Sequence, residues 1–479
     1  RDNETNEKKD NETNEKTFEN ENETNDNQTY YLENENREKS ETKGKIQEIF
    51  MSPEDYFLVT IPPLIWNGFK AIENHSSIIA NCTDKLPKFV NVKNLGAKKY
   101  RPSTINDVYD CARLVDYLEH VHSFSRVIVP TEFTDLLKAD INTAYASVVG
   151  TEKHVALTFG SGDHVKPTIE MLDMIAGGEG KFLKRPFAHG GGCTVVSPLR
   201  YGTDNCEVAV AAIEMNAPVW VVIAPQSGAT SPAALAGSLV QVLAETLASL
   251  MLVDLIKPGH PVIFGPWPFV TDLRTGSFSG GSGEEAVMSA ASAQITNHYG
   301  LASSVGAGMT DSKSPDAQAG YEKGIAVVLA ALAGCNNVSE SSGMMASLMG
   351  YSFESLVIDN EMLGMVMRTV RGIEVNEETL SYRAIKATVE GEGHFLRDPQ
   401  TLSLMKTEYL YPTLADRSTQ EEWENEGSPD MRQRAEKRAR EILNSHYPVY
   451  IDDKIDKKVR DTFPIEISRD IIKPAKDRY

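Results

Sequence analysis

Short apolar runs rich in Val and Ile recur through the middle of this chain, and a stretch with helical spacing separates most of them from the next. This alternation is typical of βα units around a parallel sheet, because strands buried on both faces read as continuous apolar runs. Eight βα units is the count that closes a TIM (β/α)8 barrel, so the predicted fold class is α/β, with a barrel carrying helical N-terminal and C-terminal extensions. The pattern places the strands at 126–130, 154–159, 194–199, 219–225, 261–265, 302–308, 336–341 and 355–359.

An open doubly wound sheet is the alternative arrangement of the same elements. That fold expects a Gly-rich dinucleotide loop after its first strand, and the first predicted strand, "RVIVP", continues as "TEFTD" instead. The sequence therefore favours the barrel and gives no sign of a dinucleotide site.

The flanks of the predicted barrel differ from it in composition. Residues 1–45 repeat "DNETNEK" and consist mostly of Asn, Glu, Thr and Lys. Such a segment cannot bury enough apolar surface to offset the entropy lost on ordering. We predict an acidic disordered tail at 1–45, an N-terminal helical region at 46–124, the barrel at 125–374 and a C-terminal extension packed on the barrel at 375–479.

Net charge argues against nucleic acid as a partner, the apolar runs argue against a membrane span, and the cysteine content indicates the cellular compartment. The net charge of −20 argues against nucleic acid, which needs a basic surface. No membrane span is expected, because the longest apolar run, at 239–256, is interrupted by Gln241, Glu245 and Asp254. Five scattered cysteines without a CxxC motif, and no visible signal peptide, predict a reducing and cytoplasmic location.

Three residues near predicted strand ends could act as acid or base, and reactions on TIM barrels take place at the carboxyl ends of the strands. His164 follows the second strand, His189 lies just before the third, and Glu340 ends the seventh. We predict these three as catalytic candidates. Metal binding through His164, His189 and a carboxylate is an alternative, but no pair of His or Cys residues has the spacing of metal ligands, so no metal site is expected.

The stretch "PVIFGPWPFVTDLRTGSFSGG" at 261–281 combines aromatic residues with one acid and one base past the fifth strand. A quaternary ammonium ion has no N–H to donate, so aromatic faces and diffuse negative charge bind it best. Arg274 could hold a carboxylate at the other end of a betaine. The predicted substrate-binding residues are Trp267, Phe269, Asp272, Arg274 and Phe278, with Asp272 or Glu340 as the counter-charge.

Long stretches of the chain resemble the trimethylamine methyltransferase family, corrinoid-dependent enzymes of methylamine and betaine metabolism. The resemblance covers about 101–443 and rests on "RPST" at 101–104, "TEKH" at 151–154, "SPAALAGSLVQVLAE" at 231–245, "KSPDAQAGYEK" at 313–323 and "FESLVIDNEMLGMVMR" at 353–368, in this order. It implies a TIM barrel and a methyl transfer from an amine to the cobalt of a corrinoid.

One departure from the family pattern bears on the substrate. Some members carry pyrrolysine in the region that corresponds to 335–345, where this chain has "CNNVSESSGMM". The departure resembles members that act on quaternary amines such as glycine betaine. The resemblance further implies that no cofactor is bound tightly, that a corrinoid protein presents the cobalamin, and that the chain forms a homo-oligomer.

Two other functions fit the same residues. A TIM-barrel lyase or hydrolase would use His164, His189 and Glu340 as acid and base, and would need no corrinoid protein. A barrel without chemistry would bind a betaine as a sensor and would never methylate cobalamin.

Overall fold

The structure, a computed structural model, describes residues 91–126, 128–391, 393–474 and 478–479, and the backbone of two short strands before them. The chain divides into two compact units, Arg1–Ile79 and Ala80–Tyr479. In the first unit, β1 (Gln28–Tyr30) pairs antiparallel with β2 (Ile49–Met51). The rest of the predicted disordered tail at 1–45, and most of the predicted region at 46–124, lie outside the described residues.

The second unit mixes strands and helices along its whole length. Its strands are β3 (Asn91–Lys93), β4 (Tyr100–Arg101), β5 (Ser123–Ser125), β6 (His154–Ala156), β7 (Ala188–Gly192), β8 (Val195–Val196), β9 (Arg200–Tyr201), β10 (Val219–Ile223), β11 (Gln226–Ser227), β12 (Val262–Pro266), β13 (Phe269–Asp272), β14 (Ser277–Ser279), β15 (Ser304–Gly306), β16 (Asn337–Ser339), β17 (Met344–Met345) and β18 (Gly350–Ser352). Its helices are α1 (Ile105–Tyr117), α2 (Leu136–Gly150), α3 (Val165–Ile175), α4 (Lys181–Lys184), α5 (Thr203–Glu214), α6 (Leu235–Ile256), α7 (Gly283–His298), α8 (Ala317–Leu332), α9 (Phe353–Arg371), α10 (Tyr382–Glu390), α11 (Pro399–Leu404), α12 (Gln420–Asn425), α13 (Met431–Ser445) and α14 (Asp453–Thr462).

A curled parallel sheet carries the site. Its strands lie in the order β12-β10-β7-β6-β5, and a parallel bridge from Phe264 to Ser303 links β12 to the parallel pair β15 and β16. Neighbouring strands thus follow chain order, and a helix connects each to the next. This order differs from a doubly wound sheet, in which the strand order reverses at a switch point. Within the described residues, no strand is hydrogen-bonded to both β16 and β5.

The third parallel strand is β7, "AHGGG", and the prediction that placed it at 194–199 is wrong. Part of the predicted run forms the short hairpin strand β8 instead. The glycines of β7 allow close packing, since a Cβ at Gly191 (φ 148°) would lie 2.1 Å from the carbonyl oxygen of Trp220. A strand of Ala, His and Gly carries no β-branched signal, so propensity could not identify it.

The predicted eighth strand at 355–359 is also wrong, because these residues lie in α9. The hydroxyl of Ser352 caps this helix by accepting from the backbone N–H of Ser355. The buried residues Phe353, Leu356, Val357, Leu363 and Val366 then repeat at helical spacing. The short apolar run "SLVI" is therefore one turn of a longer amphipathic helix.

The C-terminal part of the chain contacts the first helices of the unit. Arg113 in α1 is fully buried and donates to the carbonyl oxygens of Leu443 and His446 at 3.1 and 2.6 Å. Helix α13 also packs against α9. The predicted domain boundary at 375 stays a prediction.

Helix α6 is the one helix of the described residues that is long and apolar enough to cross a membrane, by length and composition alone. A single helix of this kind is weak evidence, because core helices of soluble proteins meet the same criterion. Glu245 in its middle is buried and accepts hydrogen bonds from the hydroxyl of Ser197 and the backbone N–H of Leu199 at 2.6 and 2.8 Å.

Candidate active site

Six rings form a continuous row from β6 to β14. Consecutive ring centroids are 5.1, 5.5, 5.2, 6.1 and 5.0 Å apart. We call this set the ring row: His154, His189, Trp220, Trp267, Phe269 and Phe278. Four of its members, His189, Trp267, Phe269 and Phe278, were predicted as site residues. His154 and Trp220 were not, although each lies in a correctly predicted strand that neighbours the strand of His189.

Trp267 lies at the centre of the ring row, immediately after β12. Its side chain is buried, and the residue is only 6% exposed. Gly306 makes room for the ring, since a Cβ there would lie 2.6 Å from Cε3 of Trp267. The indole nitrogens of Trp267 and Trp220 are buried and find no acceptor in the described part of the chain. Buried polar groups are normally hydrogen-bonded, so these two N–H groups are available to donate to a ligand or to water.

The two histidines of the ring row are held neutral. Nε2 of His154 lies 2.8 Å from Nδ1 of His189, and the rings stack. Burial, with the neighbouring His154, lowers the pKa of His189 to about 3. Burial also lowers the pKa of His154. A neutral imidazole at pH 7 is a poor proton donor, which disfavours His189 as a general acid.

His164 lies apart from this pair, at the start of α3. Its Nδ1 is 2.7 Å from a carboxylate oxygen of Asp140. The predicted trio of acid and base is therefore not assembled by direct contacts, since His189 bonds His154 and His164 bonds Asp140.

Glu340 follows β16 directly, at the carboxyl edge of the parallel sheet. Its Oε2 is buried without a hydrogen-bond partner among the described residues. Burial raises the pKa of Glu340 to about 7. Its backbone has φ of 59°, a left-handed conformation that costs energy for a residue with a Cβ and is often found at functional sites. The preceding residue, Ser339, pairs with Gly306, which contacts Trp267.

The loop after Glu340 is anchored at several points. The backbone N–H of Gly343 donates to Asp359 at 2.7 Å, and the same carboxylate forms a buried ion pair with Lys323 at 2.6 Å. The N–H groups of Ala346 and Ser347 donate to carbonyl oxygens at 2.8 and 2.9 Å. These bonds fix the backbone that presents Glu340.

Arg126 follows β5 directly, at the same carboxyl edge, and was not predicted as a site residue. Its guanidinium donates to the hydroxyl of Thr158, but its Nε is buried and has no acceptor in the described structure. Burial lowers the pKa of Arg126, and the charge of Asp140 offsets part of this effect. The prediction that placed the first strand at 126–130 is wrong, because β5 ends at Ser125 and residues 126 and 128–130 lie outside any strand. The available signal was an arginine at the start of an apolar run, since a buried arginine needs a partner or a ligand.

Asp272 and Arg274 lie in the hairpin between β13 and β14. Arg274 bonds the Asp272 carboxylate at 2.7 and 3.0 Å, and its side chain is 89% exposed. These hydrogen bonds lower the pKa of Asp272 to about 2. The structure does not bring Arg274 to the ring row, because the residue points to solvent and its charge is matched locally.

No group of three or more His, Cys, Asp or Glu side chains among the described residues could hold a metal ion. The site offers the ring row, the Glu340 carboxyl group with one buried oxygen, and the Arg126 guanidinium with a buried Nε.

The chain is similar to proteins of one family. A profile of the family described as trimethylamine methyltransferase (MTTB) matches residues 87–464. A glycine betaine methyltransferase of Desulfitobacterium hafniense (strain Y51) is 31% identical over 361 residues, which cover 75% of this chain and 74% of that protein. Trimethylamine methyltransferase MttB of Methanosarcina thermophila is 34% identical over 359 residues, which cover 75% and 74%. MttB of D. hafniense (strain DSM 10664 / DCB-2) is 32% identical over 363 residues, which cover 76% and 72%.

Proposed function

The chain belongs to the trimethylamine methyltransferase family, as its motifs predicted, and we propose that its methyl donor is a zwitterionic quaternary amine of the glycine betaine type. The methyl acceptor in this proposal is the Co(I) corrinoid of a partner protein, and the chain itself holds no tightly bound cofactor. We place this chemistry in the cytoplasm, as the cysteine content predicts.

The observation that carries the proposal is a guanidinium group and a carboxyl group that form no ion pair within the described residues. Arg126 directly follows β5 and Glu340 directly follows β16, and the Nε of Arg126 and the Oε2 of Glu340 are buried without a hydrogen-bond partner there. Burial lowers the pKa of Arg126, with the charge of Asp140 opposing it, and burial raises the pKa of Glu340. A buried charge without a partner is costly, and a ligand with both a cation and a carboxylate would offset both costs.

The aromatic faces of the ring row are suited to bind the ammonium group of this ligand. Trp267 and Phe269 offer aromatic faces next to the strand that leads to Glu340. Cation–π contacts contribute about 0.5–2 kcal/mol each, and more in a dry site. Arg126 replaces Arg274 as the candidate for the carboxylate, since Arg126 lies at the sheet edge with its Nε buried, whereas the Arg274 side chain is exposed.

The proposed transfer needs little acid–base chemistry from the protein. The nucleophilic Co(I) forms a bond to the methyl carbon, the C–N electron pair returns to nitrogen, and a neutral tertiary amine leaves without a proton. This agrees with the neutral state of His189 and with histidines that are not assembled into an acid–base set. Orientation of the N–CH₃ axis by the ring row, Arg126 and Glu340 can supply up to about 7–11 kcal/mol.

We also propose that the curled sheet closes into a complete (β/α)8 barrel. The support is the run of parallel strands in chain order, each followed by a helix, from β5 to β16. Closure would bring the ends of β5 and β16 to one rim, so that Arg126 and Glu340 face the same space.

The test is methyl transfer to free cob(I)alamin, followed by the methylcobalamin spectrum. We expect glycine betaine to react and trimethylamine to be inert. Rapid demethylation of trimethylamine with betaine inert would contradict the proposed donor. Binding of betaine without any methylcobalamin would support a sensor, and turnover without cobalamin would support a lyase or hydrolase.

The two arginines are then compared by substitution. Arg126→Met should weaken binding of glycine betaine by roughly 10- to 100-fold, because a charge-assisted hydrogen bond contributes about 1.5–3 kcal/mol. The same variant should bind tetramethylammonium, which has no carboxylate, at least as well as the wild type. Arg274→Leu should change neither ligand's affinity. If Arg274→Leu alone weakens betaine binding, the carboxylate lies at the hairpin, as the sequence predicted.

A further inference from the structure

A short segment of the chain covers part of the ring row. We call residues 346–348, in the turn between β17 and β18, the strap. Leu348 of the strap packs against the apolar cluster that contains Trp220, Trp267 and Phe269. Trp267 and Phe269 are only 6% and 5% exposed, so their rings are closed off from solvent. A ligand that binds to these rings must first displace part of their cover.

The backbone of the strap is strained. Ala346, Ser347 and Leu348 have φ of 53°, 53° and 70°, which places three consecutive residues with a Cβ in the left-handed region. Residues other than glycine visit that region singly, because the Cβ comes too close to the following carbonyl oxygen. Strained backbone persists only where surrounding contacts hold it, and it is frequent in segments that switch between two states. The strap therefore relaxes when its contacts break.

The loop after β15 holds the strap in this conformation. The backbone N–H of Ala346 donates to the carbonyl oxygen of Ser312 at 2.8 Å. The backbone N–H of Ser347 donates to the carbonyl oxygen of Thr310 at 2.9 Å. The hydroxyl of Ser347 also donates to Oδ1 of Asp311 at 2.6 Å, and this is the one side-chain hydrogen bond that we find for the strap among the described residues.

Asp311 joins the strap to the hairpin that carries Phe278. Its carboxylate accepts from the hydroxyl of Ser279 at 2.6 Å and from the backbone N–H of Gly280 at 2.9 Å. Both residues directly follow Phe278 of the ring row. Hydrogen bonds to a carboxylate are stronger than those between neutral groups, so Asp311 is well suited to tie the strap to one wall of the proposed site.

The two ends of the strap are fixed, which confines any movement to three residues. Before the strap, Met345 pairs with Gly350 in the hairpin of β17 and β18. After the strap, the carbonyl oxygen of Met349 accepts from the backbone N–H of Asn91 at 3.1 Å, and β18 pairs with β3. The strap can therefore change conformation while the sheet on either side of it stays intact.

We propose that the strap is a gate to the ring row and that Asp311 is its latch: the gate opens when Ser347 leaves Asp311 and Leu348 withdraws from the cluster. This inference rests on the proposed function, because a methyl donor has to reach rings that the closed strap helps to cover. The backbone strain raises the free energy of the closed state, and the latch lowers it. The two effects oppose each other, which keeps the open state accessible.

Amide hydrogen exchange of Ala346 and Ser347 measures the opening without any ligand. Ser347→Ala removes the latch hydroxyl and keeps the left-handed backbone, so the protection of these amides should fall roughly fivefold or more. Ala346→Gly removes strain at one position and keeps the backbone bond to Ser312, so the protection should rise about threefold. The two substitutions thus shift the gate in opposite directions.

Ser279→Ala is the matched control for the latch variant. It removes a hydroxyl bond of the same length to the same carboxylate, but on the hairpin and not on the strap. The protection of the strap amides should stay within about twofold of the wild type. Unchanged protection in Ser347→Ala, or an equal loss in Ser279→Ala, would overturn the proposal.

Stopped-flow fluorescence with tetramethylammonium measures the effect of the gate on binding. Since the gate is closed both before and after binding, Ser347→Ala should raise the association and dissociation rate constants by the same factor, roughly fivefold, and leave the dissociation constant unchanged. Ala346→Gly should slow both rates. If Ser347→Ala raises the dissociation rate alone, the residue only holds the shape of the pocket, and the gate is refuted.

A failure of the proposed function is distinguishable from a failure of the gate. A wild type that binds no quaternary ammonium ligand would contradict the proposed function. The exchange of the strap amides would still decide whether the strap opens and whether Asp311 holds it shut, because that measurement needs no ligand.

Discussion

At the scale of single residues, Glu340 gives the most direct pH test. In the proposed site a cation binds well only when this carboxylate is ionised, and burial raises the pKa of Glu340 to about 7. We therefore expect the affinity for tetramethylammonium to rise with pH up to about 7 and to level off above it. One unit below that pKa, the affinity should be about tenfold lower, and binding near pH 7 should release protons.

The measurement is titration calorimetry between pH 6 and 8.5 in two buffers of different ionisation enthalpy. Glu340→Gln is the control, and it should bind more weakly with no pH dependence in this range. The same raised pKa makes folding stability decline as pH rises from about 4.5 to 7, since the native state holds the proton more tightly than the unfolded chain. A wild type with pH-independent affinity would show that Glu340 does not face the cation.

Gly306 provides a second residue-scale test, because it makes room for Trp267. Gly306→Ala would place a Cβ 2.6 Å from the indole ring, so the ring must move. We expect roughly tenfold weaker binding of quaternary ammonium ligands, without any direct contact between the new methyl group and the ligand. The readouts are calorimetry and Trp fluorescence.

The matched control for that substitution is Gly320→Ala in α8. Nothing lies within 4 Å of a Cβ at Gly320, so this change should leave binding unaltered and raise helix stability by up to about 1 kcal/mol. Unchanged binding in Gly306→Ala would show that the position of Trp267 does not matter for the ligand.

Arg126 and Arg274 show that the sequence alone could not identify which arginine is available to bind the carboxylate of the ligand. Arg274 follows an aromatic stretch, which made it the natural carboxylate ligand, but the tight hairpin pairs it with Asp272 two residues away. Arg126 has no such neighbour in sequence, and its environment arises from the packing of β5 against β6. Local sequence shows which charges are present, while the fold determines which of them lack a partner.

At the scale of elements, the buried pair of Lys323 and Asp359 joins α8 and α9 and holds the loop that carries Glu340. Asp359→Leu would leave the Lys323 ammonium buried without its partner, and we expect a loss of about 3–5 kcal/mol in the free energy of unfolding. Lys323→Met combined with Asp359→Leu should recover most of that loss. Urea denaturation of the single and double variants measures the coupling between the two residues. A double variant no more stable than Asp359→Leu would show that the pair does not act as a unit.

The positions of the elements show why five of the eight predicted strands were found and why two of the other three were not. The strands β6, β10, β12, β15 and β16 overlap predicted runs, because parallel strands buried on both faces need consecutive apolar residues. The prediction failed at β7, where close approach to β10 requires glycine, and at 355–359, where one turn of α9 imitates a strand. Both failures come from contacts between elements that are distant in sequence. A short stretch of sequence carries no information about such contacts.

At the scale of the whole molecule, the family match and the compact second unit cover nearly the same part of the chain. The match runs from 87 to 464, and the unit runs from Ala80 to Tyr479. The ring row, Arg126 and Glu340 all lie within this range. The site of the proposed function therefore needs only residues of the second unit.

This division predicts the effect of shortening the chain. A protein that starts at Gln47 loses residues 1–46, whose first 45 are dominated by Asn, Glu, Thr and Lys and contribute almost no large apolar side chains. Since such a segment cannot add to a hydrophobic core, we expect the melting temperature to change by no more than about 2 °C, and the rate of methyl transfer to cob(I)alamin to be retained. Differential scanning calorimetry and the methylcobalamin assay on the full and shortened chains provide the comparison. A fall of about 5 °C or more would show that the segment packs on the rest of the protein, and a loss of activity at constant melting temperature would give it a role in docking the acceptor.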